Sequence, residues 1–325
     1  MGLVKMQKIL LLCEGTESAA DSVVLQKLCG KIVRVVPVGS RFGMKHRIEV
    51  LRKVQDFPAY AILDRDFPQK WESQSCLPIP WMTQENSISK CYGWYWERKE
   101  IENYLIDPIV VRESLGESVF DWNEYTDALK IARDKISSYQ AARLTLSVLG
   151  RTGQYYVASS KGVHRGSSDH YRFPEEGQLD EVTCDEWIAS THAEYENRHL
   201  SRFNSLDNLY HQYRIECNEG GIRFENYMAA FSGKDIAWCL NGWLRKKGFQ
   251  GTKHFLNSIL EGIAGSKTDI TQWLFEWNRF YSVVVQRVSS AALVQPVSSK
   301  PKPQVSDAIS GENSETDQVD NVIEK

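Results

Sequence analysis

The sequence predicts an α/β fold: a mainly parallel, Rossmann-like sheet in the first third of the chain, followed by a mostly α-helical region. Three observations carry this. Short aliphatic runs at Ile9 to Cys13, Ile32 to Val38 and Tyr60 to Leu63 have the continuous apolar character of strands buried on both faces. Helical repeats separate them, and strands alternating with helices imply a parallel sheet with right-handed crossovers. From about Val110 to Arg287 the helical period dominates.

Taken in order, Ala19 to Cys29 has apolar positions at Ala20, Val23, Val24 and Leu28, and Gly30 is a natural stop. Lys45 to Val54 is a short amphipathic helix with Ile48, Leu51 and Val54 on one side. Pro68 to Lys90, polar and with three prolines, reads as a loop. Cys91 to Trp96 is a fourth strand, and Arg98 to Leu105 turns helical before Asp107-Pro108 ends it. The pattern changes there, so residues 1–109 form the expected first domain and 110–289 a helical one. Within the latter, Asn123 to Leu149 is a long helix closed by Gly150, and Thr183-Cys-Asp-Glu186 is a capping box opening another. Ser232-Gly-Lys-Asp235 starts a helix with Ile236, Leu240, Trp243 and Leu244 on one face, and Ile270 to Val285 repeats the arrangement. Aromatic stripes at this spacing are core rather than cofactor sites. Residues 290–325, with prolines, serines and acids, predict a disordered tail.

Composition narrows the class. The formal charge of −3 arises in the tail, where Lys300, Lys302 and Lys325 face Asp307, Glu312, Glu315, Asp317, Asp320 and Glu324. A neutral body leaves no global footprint for nucleic acid, so any contact needs a local patch. Seven cysteines with no CxxC pair read as reduced residues of a cytoplasmic protein. The apolar stretch Ile9 to Cys13 is too short for a signal-peptide core, and no segment approaches the roughly 18 apolar residues of a membrane span.

Chemistry concentrates where two aliphatic runs end in acids, at Glu14-Gly15 and at Asp64-Arg65-Asp66. In an open α/β sheet functional groups sit just past the strands' carboxyl ends. Carboxylates held close there repel one another unless a hard cation such as Mg2+ neutralises them. The loop Gly39 to Arg47, with Arg41 and Lys45, is either a phosphate-binding turn at a helix start or a solvated glycine-rich turn. Gly150 to Phe173 interleaves Lys161, Arg165 and other basic residues with Tyr155, Tyr156 and Tyr171, which suits single-stranded nucleic acid or a solvated insertion. Lys234 sits at a helix start, where the dipole disfavours a cation; it is either aimed at a phosphate or exposed.

With Glu14-Gly15, Asp64-Arg-Asp66 and Glu100-Ile-Glu102-Asn-Tyr-Leu105 in hand, the first third of the chain resembles a Toprim domain of the OLD-family nuclease type. More narrowly, it is similar to the stand-alone Toprim effectors beside ABC-type ATPases in bacterial anti-phage systems such as PARIS. The helical half matches that family only through Phe231-Ser-Gly-Lys234-Asp. The resemblance implies a Mg2+- or Mn2+-dependent nuclease acting on DNA or RNA, tRNA included, toxic once released from its AAA/ABC-type ATPase partner and then a homodimer. It further implies metal ligands at Glu14, Asp64, Asp66 and Glu102, with Glu14 alternatively the base, and Lys234 near the reacting phosphate. One position departs: the family's further acid, four residues after its glutamate, is here Ser18, with Glu17 one residue early and Asp21 three late. A one-residue shift at a helix start rotates a side chain by about 100°. Two other readings follow from the same residues. One is a Toprim-derived subunit that has lost catalysis and regulates an ATPase; the other, an enzyme of primase or topoisomerase type, lacks the zinc-ribbon cysteines and tyrosine region it would require.

Overall fold

A computed structural model describes residues 9–54, 58–65, 78–85, 88–152, 180–199 and 206–293 of the chain. The run Ile9–Cys13 is strand β1, and all five of its residues are buried. Then come α1 (Ala20–Cys29), β2 (Val33–Pro37), α2 (Met44–Val54) and β3 (Ala59–Leu63). β1 pairs in parallel with β2 on one side and with β3 on the other, as the alternation of strands and helices requires.

Within the expected loop over residues 68–90, Ile79–Glu85 is a strand and another strand begins at Ile88, while residues 68–77 and 86–87 lie outside the described residues. β4 (Ile79–Glu85) lies antiparallel to β5 (Ile88–Tyr95), and β5 joins β3 in parallel, giving one sheet of order β2-β1-β3-β5-β4. Proline misleads here: Pro80 is tolerated because β4 is an edge strand and has a face without ladder partners. Gly93 of β5 has φ 147°, and a Cβ there would lie 1.9 Å from the carbonyl oxygen of Ala61. Glycine is what allows β5 to close onto β3 at that point.

The period of two sorts the sheet into two buried faces. Ile9, Leu11, Cys13, Ile62 and Trp94 face one core; Leu10, Leu12, Ala61, Leu63 and Tyr92 face a second, smaller one closed by Met44 and Ile48 of α2. The larger face takes α1 and much of the helical region. That region comprises α3 (Glu102–Leu105), α4 (Pro108–Leu115), α5 (Trp122–Thr152), α6 (Glu181–His199), α7 (Leu206–Cys217), α8 (Ile222–Glu225), α9 (Tyr227–Ala230), α10 (Gly233–Cys239), α11 (Asn241–Lys246), α12 (Thr252–Gly265) and α13 (Phe275–Leu293).

Several helix boundaries differ from expectation. The helix expected from Arg98 begins only at Glu102, because the peptide of Lys99 is engaged elsewhere: its N–H donates to Ala229 O at 2.9 Å and its carbonyl accepts from Arg65 N at 2.7 Å. The cap of α6 is Asp180 rather than Thr183, whose N–H and hydroxyl both donate to the Asp180 carboxylate. Ile270 to Gln272 is a short 3-10 turn opened by Asp269, and α13 starts afresh at Phe275. Gly150, the expected stop of the long helix, lies inside α5.

Packing continues across residue 109. The Phe280 ring of α13 lies 6.2 Å from Trp94 and 5.2 Å from Trp96, and Trp277 lies 6.0 Å from Tyr104. α12 packs on both α1 and α4, and Lys27 of α1 donates to the carbonyls of Ala264 and Ser266 at the end of α12. Among the described residues, no helix is long and apolar enough to cross a membrane.

Candidate functional site

Glu14 is the first residue past β1 and Asp64 the first past β3, and because these strands are parallel neighbours both acids stand at one edge of the sheet. Gly15, with φ 83°, turns the chain so that its N–H donates to Gly39 O at 2.6 Å and its carbonyl accepts from Gly39 N at 2.9 Å. This pins the Gly39–Gly43 loop beside Glu14. Arg41 on that loop is near enough to favour the ionised form of Glu14, whereas Lys45 turns away, its ammonium 5.3 Å from the Tyr92 ring centre on the smaller face. Asp21, in the first turn of α1, accepts a 2.9 Å hydrogen bond from Trp96 Nε1, just past β5. Glu102 opens α3 and is buried.

The helical region supplies the cation. Ser232 caps α10, and its hydroxyl donates to Glu100 Oε1 at 2.7 Å. The same oxygen accepts from Lys234 N at 2.8 Å, and Lys234 Nζ lies 3.3 Å from Glu100 Oε2 and 3.3 Å from Glu102 Oε2. Gly233 makes this approach possible, since a Cβ there would fall 2.3 Å from Asn103 N. Asn103, fully buried, donates to Met228 O at 3.0 Å and Phe231 O at 2.9 Å and accepts from Glu100 N. Behind α10, Asp235 accepts from Gln140 at 2.7 Å and pairs with Arg143 of α5. Arg98 pairs with Asp107 at the start of α4 at 2.7 Å and with Glu276 of α13 at 3.0 Å.

Burial sets the electrostatics. It raises the pKa of Glu14 despite Arg41 and Lys234, and raises Asp64 well above the usual range, with Asp21 adding to the effect. Asp21 is pushed up to about 7 by burial and then by Glu102, and Glu102 to about 7 by burial against the pull of Lys234. Glu100 behaves oppositely: burial would raise it, but Lys234, Lys99 and the hydrogen bonds from Lys234 N and Ser232 hold it well below the carboxylate range. Burial opposes the Lys234 ammonium, yet Glu100, Glu102, Asp64 and Asp21 together keep its pKa well above normal.

Two buried oxygens at this edge, Glu14 Oε1 and Asp64 Oδ1, have no hydrogen-bond partner, and Glu102 Oε2 has only the Lys234 ammonium at 3.3 Å. Such groups are costly to leave unpaired, and an all-carboxylate set suits a hard divalent cation. Among the described residues no three acids, histidines or cysteines already stand at metal-ligand spacing. The structure thus brings Glu14, Asp64, Glu102 and Lys234 together with Arg41 alongside. Asp66, Lys161 and Arg165 lie outside the described residues. Asp21, Glu100, Trp96 and Ser232 are the members that sequence reasoning did not pick out. Asp21 had a visible signal as an acid in the first turn of the helix after Glu14; Glu100 and Trp96 had none beyond proximity to Glu102.

The fold and the cluster define an α/β protein with an acidic site at the carboxyl edge of its parallel strands. In comparison with known proteins, no family model matches the chain and no curated sequence matches it.

Proposed function

We propose that this chain is a Toprim-like, divalent-metal-dependent nuclease that hydrolyses phosphodiester bonds in DNA or RNA. The observation that carries this is the pair of unpaired carboxylate oxygens of Glu14 and Asp64, buried at the sheet edge beside the Lys234–Glu102 ion pair. Glu14, Asp21, Asp64 and Glu102 are the residues that would hold Mg2+ or Mn2+, with Asp66 added from the sequence pattern. A bound ion would supply charge neutralisation at the phosphate and an acidified water. Glu14, whose pKa burial raises, is suited to receive a proton from the attacking oxygen. Lys234, held by Glu100, presents a fixed positive charge to a phosphate. Arg41 stands beside Glu14, where a substrate backbone would pass.

From the family resemblance we further propose that the nuclease is a phage-defence effector held by an ABC-type ATPase. Incubating the purified chain with single-stranded DNA, duplex DNA and tRNA, with Mn2+ or with chelator, tests the activity. Metal-dependent cleavage lost in Glu14→Gln is the expected result; equal cleavage by Glu14→Gln would overturn the assignment. Co-purification with and without a phage trigger tests the partner.

A second reading is a catalytically silent regulatory subunit of such an ATPase. Ser18 at the position of the family's acid and Lys234 ion-paired with Glu102 support it. Its signature is ATPase binding that survives Glu14→Gln, with no cleavage by the wild-type chain.

A further inference from the structure

We infer that Lys234 stands in the place of a second divalent cation, so that this acidic edge takes one metal ion rather than two; the inference rests on the nuclease reading above. Two-metal phosphodiesterase sites hold their ions about 4 Å apart, and each ion needs carboxylate oxygens of its own. Here the oxygens divide into two groups. Glu100 Oε1 accepts from Ser232 Oγ and Lys234 N, and its Oε2 faces Lys234 Nζ at 3.3 Å, so the backbone and side chain of the α10 start engage both oxygens. Glu102 Oε2 faces the same ammonium at 3.3 Å. Glu14 Oε1 and Asp64 Oδ1, on the neighbouring strand ends, have no hydrogen bond at all.

The ammonium is built into the fold rather than swung in from solvent. Ser232 and the peptide N–H of Lys234 fix the helix start on Glu100, and the absence of a Cβ at Gly233 brings that turn against the backbone of Asn103. Asn103 in turn grips the carbonyls of Met228 and Phe231 just before it. A cation tethered this way occupies Glu100 Oε2 and Glu102 Oε2 with a single positive charge, leaving the Glu14 and Asp64 side to a divalent ion.

Mn2+ titration of the full-length wild-type chain, followed by calorimetry and by the loss of the free-ion paramagnetic resonance signal, decides it. A single Mn2+ bound per wild-type chain is expected, unchanged in Lys234→Arg and rising to two in Lys234→Met. Two ions on the wild-type chain would overturn the inference while leaving the nuclease reading standing. No ion on any form would overturn both. A folded Lys234→Met that still binds only one would show that the lysine excludes nothing. Should Lys234→Met fail to fold by circular dichroism, the wild-type count settles the stoichiometry by itself.

Discussion

Asn103 shows how much one side chain carries here. Its carboxamide satisfies Met228 O, Phe231 O and Glu100 N, and Asn103 itself is fully buried. Asn103→Ala should therefore cost about 3 kcal/mol, the unpaired groups contributing roughly 1–3 kcal/mol each with partial relaxation. Urea unfolding measures it; a change below about 1 kcal/mol would show that the two segments hold together without this residue. Trp96 acts differently, because its indole N–H is the hydrogen bond seen on Asp21. Trp96→Phe keeps most of the ring packing but frees Asp21, so metal affinity should fall by about tenfold, as expected for an outer partner of a ligand. Calorimetry with Mn2+ checks it, and unchanged affinity would remove Asp21 from the site.

At the level of elements, the first turn of α10 is the piece that joins the helical region to the acidic edge. Its seat depends on a missing side chain, since a Cβ at Gly233 would stand 2.3 Å from Asn103 N and 2.7 Å from Glu102 C. Both neighbours are backbone, so they cannot rotate away. Gly233→Ala should push α10 off Glu100 and cost about 2 kcal/mol or more, in the range of overpacked cores. Cleavage should be lost along with it, since Lys234 moves with the helix. A variant with wild-type stability and activity would show that the contact is loose. β4 makes a separate point: its pairing with β5 supplies an edge to the sheet beyond the strand that carries Trp94 and leads into Trp96, so β5 is interior.

For the whole molecule, one buried cluster contains strand residues Leu11, Ile62 and Trp94 together with Tyr125, Leu244, Phe255 and Trp277. A core shared in this way should unfold in a single cooperative transition, and calorimetry resolving two separated transitions would contradict that. The acid cluster also makes stability depend on pH. Asp21 and Glu102 titrate at about 7 in the fold, against ordinary values of 3.8 and 4.5. Between those limits the native chain holds more protons than the unfolded chain, so stability falls as pH rises through the window. Glu100, whose pKa is depressed, acts below that window, where its stabilising contribution is lost on acidification. With chelator present, the urea midpoint should decline from about pH 4.5 to about pH 7.5, and Mn2+ should restore part of it at the upper end. A midpoint that climbs across this range in chelator would mean that these acids ionise freely in the fold.

The strands β1, β2 and β3, the helices α1 and α2 and the acids at the strand ends could be read from the chain itself, because aliphatic runs and helical periods are local properties and a parallel order follows from their alternation. The cap of α10 at Ser232 was equally local. β4 was hidden because Pro80 reads as a breaker until the strand is known to lie at an edge. The late start of α3 was hidden because what stops it is a hydrogen bond from Lys99 to Ala229, 130 residues away. The site divides in the same way. Glu14 and Asp64 declare themselves by following strands, whereas the ties of Asp21 to Trp96, of Glu100 to Ser232, and of Lys234 to both Glu100 and Glu102 arise only when distant segments meet. Local patterning determined which residues could be acids at an edge; which oxygens were engaged and which left unpaired was decided by tertiary packing, because burial and partner geometry exist only in the folded chain.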